Sequence, residues 1–123
     1  MDPERKQEAF WRGIACFNRG QFFTCHEVLE EIWLAEPEAE KLFYQGLIQV
    51  AAGFHHVVEK KNPRGALSLL RAGAEKLQSY PPAYHGIDLA GLLGTLASWL
   101  DRLERQQPAD DLLLPTIRPA RPR

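Results

Sequence analysis

Residues 17–33 read FNRGQFFTCHEVLEEIW and residues 42–56 read LFYQGLIQVAAGFHH, and the reading of these two stretches decides the fold. In the first, Phe22, Cys25, Leu29, Ile32 and Trp33 recur every three or four residues, the period of a helix with one buried face. In the second, Leu42, Phe43, Leu47, Ile48, Val50, Ala51 and Phe54 cover nearly every side of a helix, the pattern of a central, buried one. Pro37 separates the two.

Working outward, a first helix is expected over about 3–19. Pro3 suits its first turn, Phe10, Ile14 and Phe17 form an apolar stripe widened by Trp11, and Gly20 is a left-handed cap. The second helix spans about 22–36, with Thr24-x-x-Glu27 as a capping box. The third spans about 38–61, acidic at its start (Glu38, Glu40) and basic at its end (Lys60, Lys61), as the helix dipole favours. Gly46 and Gly53, seven apart, predict a close helix crossing, because glycine otherwise costs helix stability. Asn62 caps a fourth helix over about 63–79, with Leu67, Leu70, Ala74 and Leu77 inward. Pro81-Pro82 breaks it, and Asp88 caps a fifth over about 89–106, lined by Leu89, Leu92, Leu93, Leu96, Trp99, Leu100 and Leu103. No strand pattern competes. The expectation is one all-α domain over residues 1–106, built of two antiparallel helix hairpins and a capping C-terminal helix. A Pro/Arg-containing tail, 107–123, is expected to be extended or disordered, with Leu112-Leu113-Leu114 available to dock on the body or on a neighbouring subunit.

A chain of 123 residues, 45% hydrophobic and 25% charged, is one ordinary globular domain with its own core. Its net charge of −1 argues against nucleic acid, and Arg118, Arg121 and Arg123 are too sparse to hold a phosphate backbone. The charged start has no apolar signal segment, and the span Leu42–Val58 holds two Gln and two His, so no membrane role is expected and the location expected is cytoplasmic. Cys16 and Cys25 read as buried thiols in a reducing compartment, with a redox pair across the first hairpin as the alternative.

Two resemblances follow from the placed helices. Trp11-x-Gly13, then Asn18-x-Gly20-x-Phe22-x-x-Cys25, resembles a tetratricopeptide helix pair, faintly repeated by Asn62-Pro63-x-Gly65-Ala66. More closely, FNRGQFFTCHEVLEEIW, LFYQGLIQVAAGFHH and NPRGALSLL, with Tyr84-x-Gly86-Ile87-Asp88 later, resemble a family of small prokaryotic helical proteins called domain of unknown function 309. That resemblance covers about residues 8–103. It implies an all-helical, two-hairpin fold and no particular activity.

Polar side chains on these apolar helices mark the candidate site. His26 and Glu30 share a face that Trp33 continues, with Glu27 beside it. On the third helix Gln45, Gln49 and His56 share a face, flanked by Tyr44 and His55. Packed antiparallel, the two helices would bring His26, Glu30 and Gln49 together. Three readings stand. The first is a buried hydrogen-bonded network that fixes helix register. The second is a divalent-metal site using His26, Glu30 and His56 or His55, although no H-E-x-x-H is present and the third helix lacks carboxylates in its middle. The third is an acid–base pocket in which a half-buried His–Glu pair serves as general base. No phosphate loop, nucleophile elbow or CxxC accompanies them. His85, in a Pro-rich loop, is given no role. The expected function is a protein-interaction module, self-associating through an apolar helix face, because the third and fifth helices carry more apolar surface than a small bundle easily covers, with no cofactor. The alternative is a small metal-dependent or acid–base, hydrolase-like enzyme using the His26/Glu30 cluster.

Overall fold

A computed structural model describes residues 2–121; Arg123, the last member of the basic cluster, lies outside the described residues. Five helices follow one another: α1 (Pro3–Asn18), α2 (Phe22–Ala35), α3 (Glu38–Val58), α4 (Pro63–Leu77) and α5 (Leu89–Glu104). The short links make α1/α2 and α3/α4 antiparallel hairpins, and α3 packs against both α2 and α4. The all-α expectation holds.

The helix ends show why each element stops where it does. Asp2 caps α1 by accepting from Arg5 N at 2.9 Å. At the other end Gly20 adopts φ +78°, Gly20 N donates to Phe17 O and Gln21 N donates to Cys16 O, a Schellman closure. Asn62 and Asp88 cap α4 and α5 through Gly65 N and Gly91 N, at 3.0 and 2.9 Å. The expected Thr24 cap is corrected: α2 begins at Phe22 behind Gln21, whose side chain makes no capping bond. Helix α3 ends three residues early, at Val58, where Asn62 N turns back to His56 O.

The α3/α4 crossing is close because glycines line it. A Cβ on Gly46 would lie 2.8 Å from Leu77 Cγ, one on Gly53 2.6 Å from Leu70 Cδ2, and one on Gly73 2.8 Å from the carbonyl oxygen of Gly46. This contact fixes the rotation of α3. Phe43, Tyr44, Leu47, Val50, Ala51 and Phe54 face the core, while Lys41, Gln45, Ile48, Ala52 and His55 form a half-buried outer stripe. Around Phe54, the rings of Phe17, Phe22 and Trp99 meet at centroid distances of 6.2, 5.6 and 5.3 Å.

The hairpin before α5 was not expected, while the tail, expected to be extended or disordered with Leu112-Leu113-Leu114 available to dock, packs on the body with Leu112 against the core. A two-residue hairpin pairs β1 (Ala83–Tyr84) with β2 (Ile87–Asp88), turning on His85 at φ +50° and Gly86 at φ +76°. Two consecutive positive φ values are what a type I′ turn requires. The tail then extends this hairpin: Asp88 N donates to Arg118 O, Ala120 N to Gly86 O, and Ile87 bridges Pro119. On its way it covers α5, burying Ile117 and taking the Trp99 indole N–H on Leu113 O at 3.1 Å. Arg102 holds its start with a two-pronged ion pair to Asp111, at 2.6 and 2.8 Å.

Candidate functional site

The polar residues singled out from the sequence do not gather at one point. His26 Nε2 and Glu30 Oε2 lie 3.4 Å apart, with side chains 31% and 46% exposed, so the pair sits in a half-open seam rather than in the core. Gln49 is turned away to α4, where Lys76 Nζ donates to its Oε1 at 2.9 Å. His56 donates its Nδ1 proton to Ala52 O at 2.9 Å and packs by the start of α4, close to Gly65. His55 goes the other way and meets the Phe23 ring at 5.4 Å. Gln45 stands on the outer stripe of α3 and Glu27 is exposed on α2. Tyr44 is fully buried against Phe10 and Phe43. Burial first, then the nearby Glu36 and Glu40 charges, push its phenol above the ordinary value. Among the described residues no three His, Cys, Asp or Glu side chains are grouped as metal ligands.

Two ring nitrogens on this seam, His26 Nδ1 and Trp33 Nε1, are buried and have no partner among the described residues. They lie seven residues apart, on one side of α2, at its border with α3. Lys41 covers the Trp33 ring, its ammonium 5.6 Å from the centroid. His26 stacks on Phe23 with ring centroids 6.0 Å apart.

A second polar group, which the sequence reading passed over, lies at the opposite end of α3. Glu40 Oε1 accepts from the Tyr84 hydroxyl at 2.9 Å and its Oε2 lies 2.8 Å from His85 Nε2. The imidazole stacks on Phe43, 5.0 Å away and 15° from parallel. Burial raises the Glu40 carboxyl. The hydrogen bonds from His85 and Tyr84, with the charges of His85 and Lys6, outweigh it and hold the group below its ordinary value. Beside it Glu36, its side chain 3% exposed, is paired with Lys6 Nζ at 2.7 Å. These contacts tie α1, the α2–α3 link and the hairpin together. Every acid in the group is already partnered, so it reads as a clasp for the hairpin rather than an open reactive centre. The positive-φ signature of His85-Gly86 was the available clue.

Five large apolar side chains are exposed among the described residues: Phe23 and Leu34 on α2, Leu42 at the start of α3, and Leu113 and Leu114 in the tail. Phe23 and Leu34, eleven residues apart and on the same side of the helix, are 54% and 67% exposed. Glu27, Glu30 and Glu31 lie between them. Among the described residues neither Glu27 nor Glu31 has a cation within 4 Å. A surface hollow of about 410 Å³, lined by Gln21, Phe23, Thr24, His55 and Glu59, opens at one end of this face. The cysteines offer no chemistry there: both are free and buried. Burial first, then Cys16, push the Cys25 thiol up to about 12, against a hydrogen bond with the Phe17 backbone. No described helix is long and apolar enough to cross a membrane.

Residues 10–69 match the family model described as domain of unknown function 309, the family the sequence resembles. The match takes in most of α1, all of α2 and α3 and the start of α4, and leaves the Tyr84–Asp88 hairpin outside. An uncharacterized protein of Aquifex aeolicus (strain VF5) is 29% identical over 107 residues, which are 86% of this chain and 32% of that protein. The uncharacterized protein YpuF of Bacillus subtilis (strain 168) is 31% identical over 97 residues, 76% of this chain and 55% of that protein. The chain thus spans about a third of the one relative and about half of the other.

Proposed function

We propose that this helical chain, whose first three helices match a family without an assigned activity, is a protein-interaction module that associates with a second copy of itself through the outer face of α2. The observation that carries this reading is the exposure of Phe23 and Leu34 on one side of one helix, at 54% and 67%. Scattered exposed apolar residues are common, but two large ones aligned on a single helix face are a typical docking feature. The other exposed large apolar side chains do not share a helix face with them: Leu42 lies at the start of α3, and Leu113 and Leu114 lie in the tail. Most of the apolar surface of α3 packs against α2 and α4 and that of α5 lies under the tail, so neither helix supplies the face used in this reading.

The polar seam beside this face has a supporting part. His26 stacks on Phe23 and pairs with Glu30, which holds the ring and carboxylate in place along the same helix. The experiment is sedimentation velocity over a concentration series, with wild type compared to Phe23→Asp/Leu34→Asp. A reversible dimer that the double variant loses supports the reading. A wild-type chain that stays monomeric at the highest concentration removes it.

A further inference from the structure

The charges on the surface of the first hairpin suggest which part of the second copy meets α2. Residues 20–40 contain six Glu and neither Lys nor Arg. On α1, by contrast, Arg5, Arg12 and Arg19 recur every seven residues, which places them on one side of the helix. All three are exposed, and among the described residues none has a carboxylate within 4 Å. Of the six Glu, Glu30, Glu36, Glu38 and Glu40 already have partners, so the hairpin presents an unpaired basic stripe on α1 beside two unpaired carboxylates, Glu27 and Glu31, on α2.

The register between these helices is fixed by three contacts. The Phe17 and Phe22 rings meet at 5.1 Å, a Cβ on Gly13 would lie 3.0 Å from Leu29 Cδ2, and Lys6 reaches Glu36 at 2.7 Å. Arg12 thus lies level with the middle of α2, between the levels of Glu27 and Glu31. Arg19 lies level with Phe23, and Arg5 with the end of α2 near Leu34.

We propose that the chain forms a two-fold dimer in which α1 of each copy lies across α2 of the other. This rests on the self-association reading above and names its geometry. A two-fold axis parallel to the helices exchanges α1 and α2 and keeps their levels, so each contact is made twice. Arg12 of the second copy then falls between Glu27 and Glu31, and Arg19 of the second copy falls over the Phe23 ring, a cation–π arrangement. Glu8, which neighbours the arginine stripe, comes opposite Leu34 rather than a carboxylate. The 16 residues of α1 make a face about 24 Å long. A contact of that size is at the small end of specific interfaces, so the dimer is weak and sensitive to salt.

The test uses charge reversal at exposed residues that hold nothing in the folded chain. Far-UV circular dichroism of each variant checks that it stays folded. Sedimentation velocity at low salt should show Arg12→Glu alone, and Glu27→Arg/Glu31→Arg alone, dimerising about tenfold or more weakly than wild type. An equimolar mixture of the two should recover the dimer, because both contacts are then again between opposite charges. A wild-type dimer that persists unchanged in Arg12→Glu, or two variants that fail to complement, overturns this geometry while leaving self-association standing. A monomeric wild type removes both.

Discussion

The Asn18 side chain and the Ile117 backbone, 99 positions apart in sequence, exchange two hydrogen bonds: Asn18 Nδ2 donates to Ile117 O at 2.9 Å and Ile117 N donates to Asn18 Oδ1 at 2.7 Å. The last turn of α1 thereby fastens the tail, and the tail in turn seals α5. The Asn18-x-Gly20 pattern that resembles a repeat signature has, in this chain, a tail-binding job as well as a helix-ending one.

Breaking this fastening should loosen one segment before the whole. Asn18→Ala removes both bonds and is expected to cost about 1–2 kcal/mol. Ile117→Ala, which empties a buried site, should cost about 3 kcal/mol. Urea unfolding gives the totals. Hydrogen exchange should show Ile117 and Ala120 amides losing protection while those of α3 keep theirs.

Acid should weaken the hairpin clasp in a defined direction. The Glu40 carboxyl is held below its ordinary value of 4.5 in the folded chain. Its contribution is therefore fully present above that value and is lost as pH falls through the lowered one. Asp111, which the Arg102 hydrogen bonds bring from 3.8 to about 2, behaves the same way further down. Thermal melts from pH 6 downward should fall less steeply below about pH 4.5 for Glu40→Gln than for wild type. Equal slopes would mean that the Tyr84 and His85 contacts contribute nothing in solution.

Two glycine substitutions should have opposite signs. A Cβ on Gly73 would meet backbone, 2.8 Å from Gly46 O and 3.2 Å from Val50 N, whereas a Cβ on Gly94 would meet nothing within 4 Å. Gly73→Ala is expected to destabilise by roughly 2–3 kcal/mol through forced separation of α3 and α4. Gly94→Ala, in an open helix interior, should stabilise by up to about 1 kcal/mol. Chemical denaturation of both variants decides it.

Neither thiol should react in the folded chain. Cys25 is fully buried and its pKa is pushed up to about 12, so almost no thiolate is present near neutral pH. Ellman's reagent should label both cysteines only after denaturant is added. Fast labelling of the native chain would show that the first hairpin opens.

Which features could be read from the sequence depended on how local their causes are. The helices, the Asn62 and Asp88 caps and the Gly20 closure were legible because each is set by residues within a turn or two. So was the α3/α4 crossing, which Gly46 and Gly53 advertise by their spacing. The His26–Glu30 pair was legible for the same reason. Its meeting with Gln49 was not: the glycine contact that draws α3 onto α4 also rotates Gln49 toward Lys76, and periodicity alone leaves that rotation open. The hairpin escaped because two-residue strands carry no alternation. The tail's path and the Glu40–His85 pair escaped because their partners are 99 and 45 positions away.

The most direct test is a sedimentation velocity series on the wild-type chain at low and high salt, with Phe23→Asp/Leu34→Asp alongside. A concentration-dependent dimer that salt weakens and the double variant abolishes is the predicted result. A single monomeric species under all conditions, or a dimer that survives the loss of Phe23 and Leu34 unchanged, would contradict the assignment of the outer face of α2 as the interaction surface.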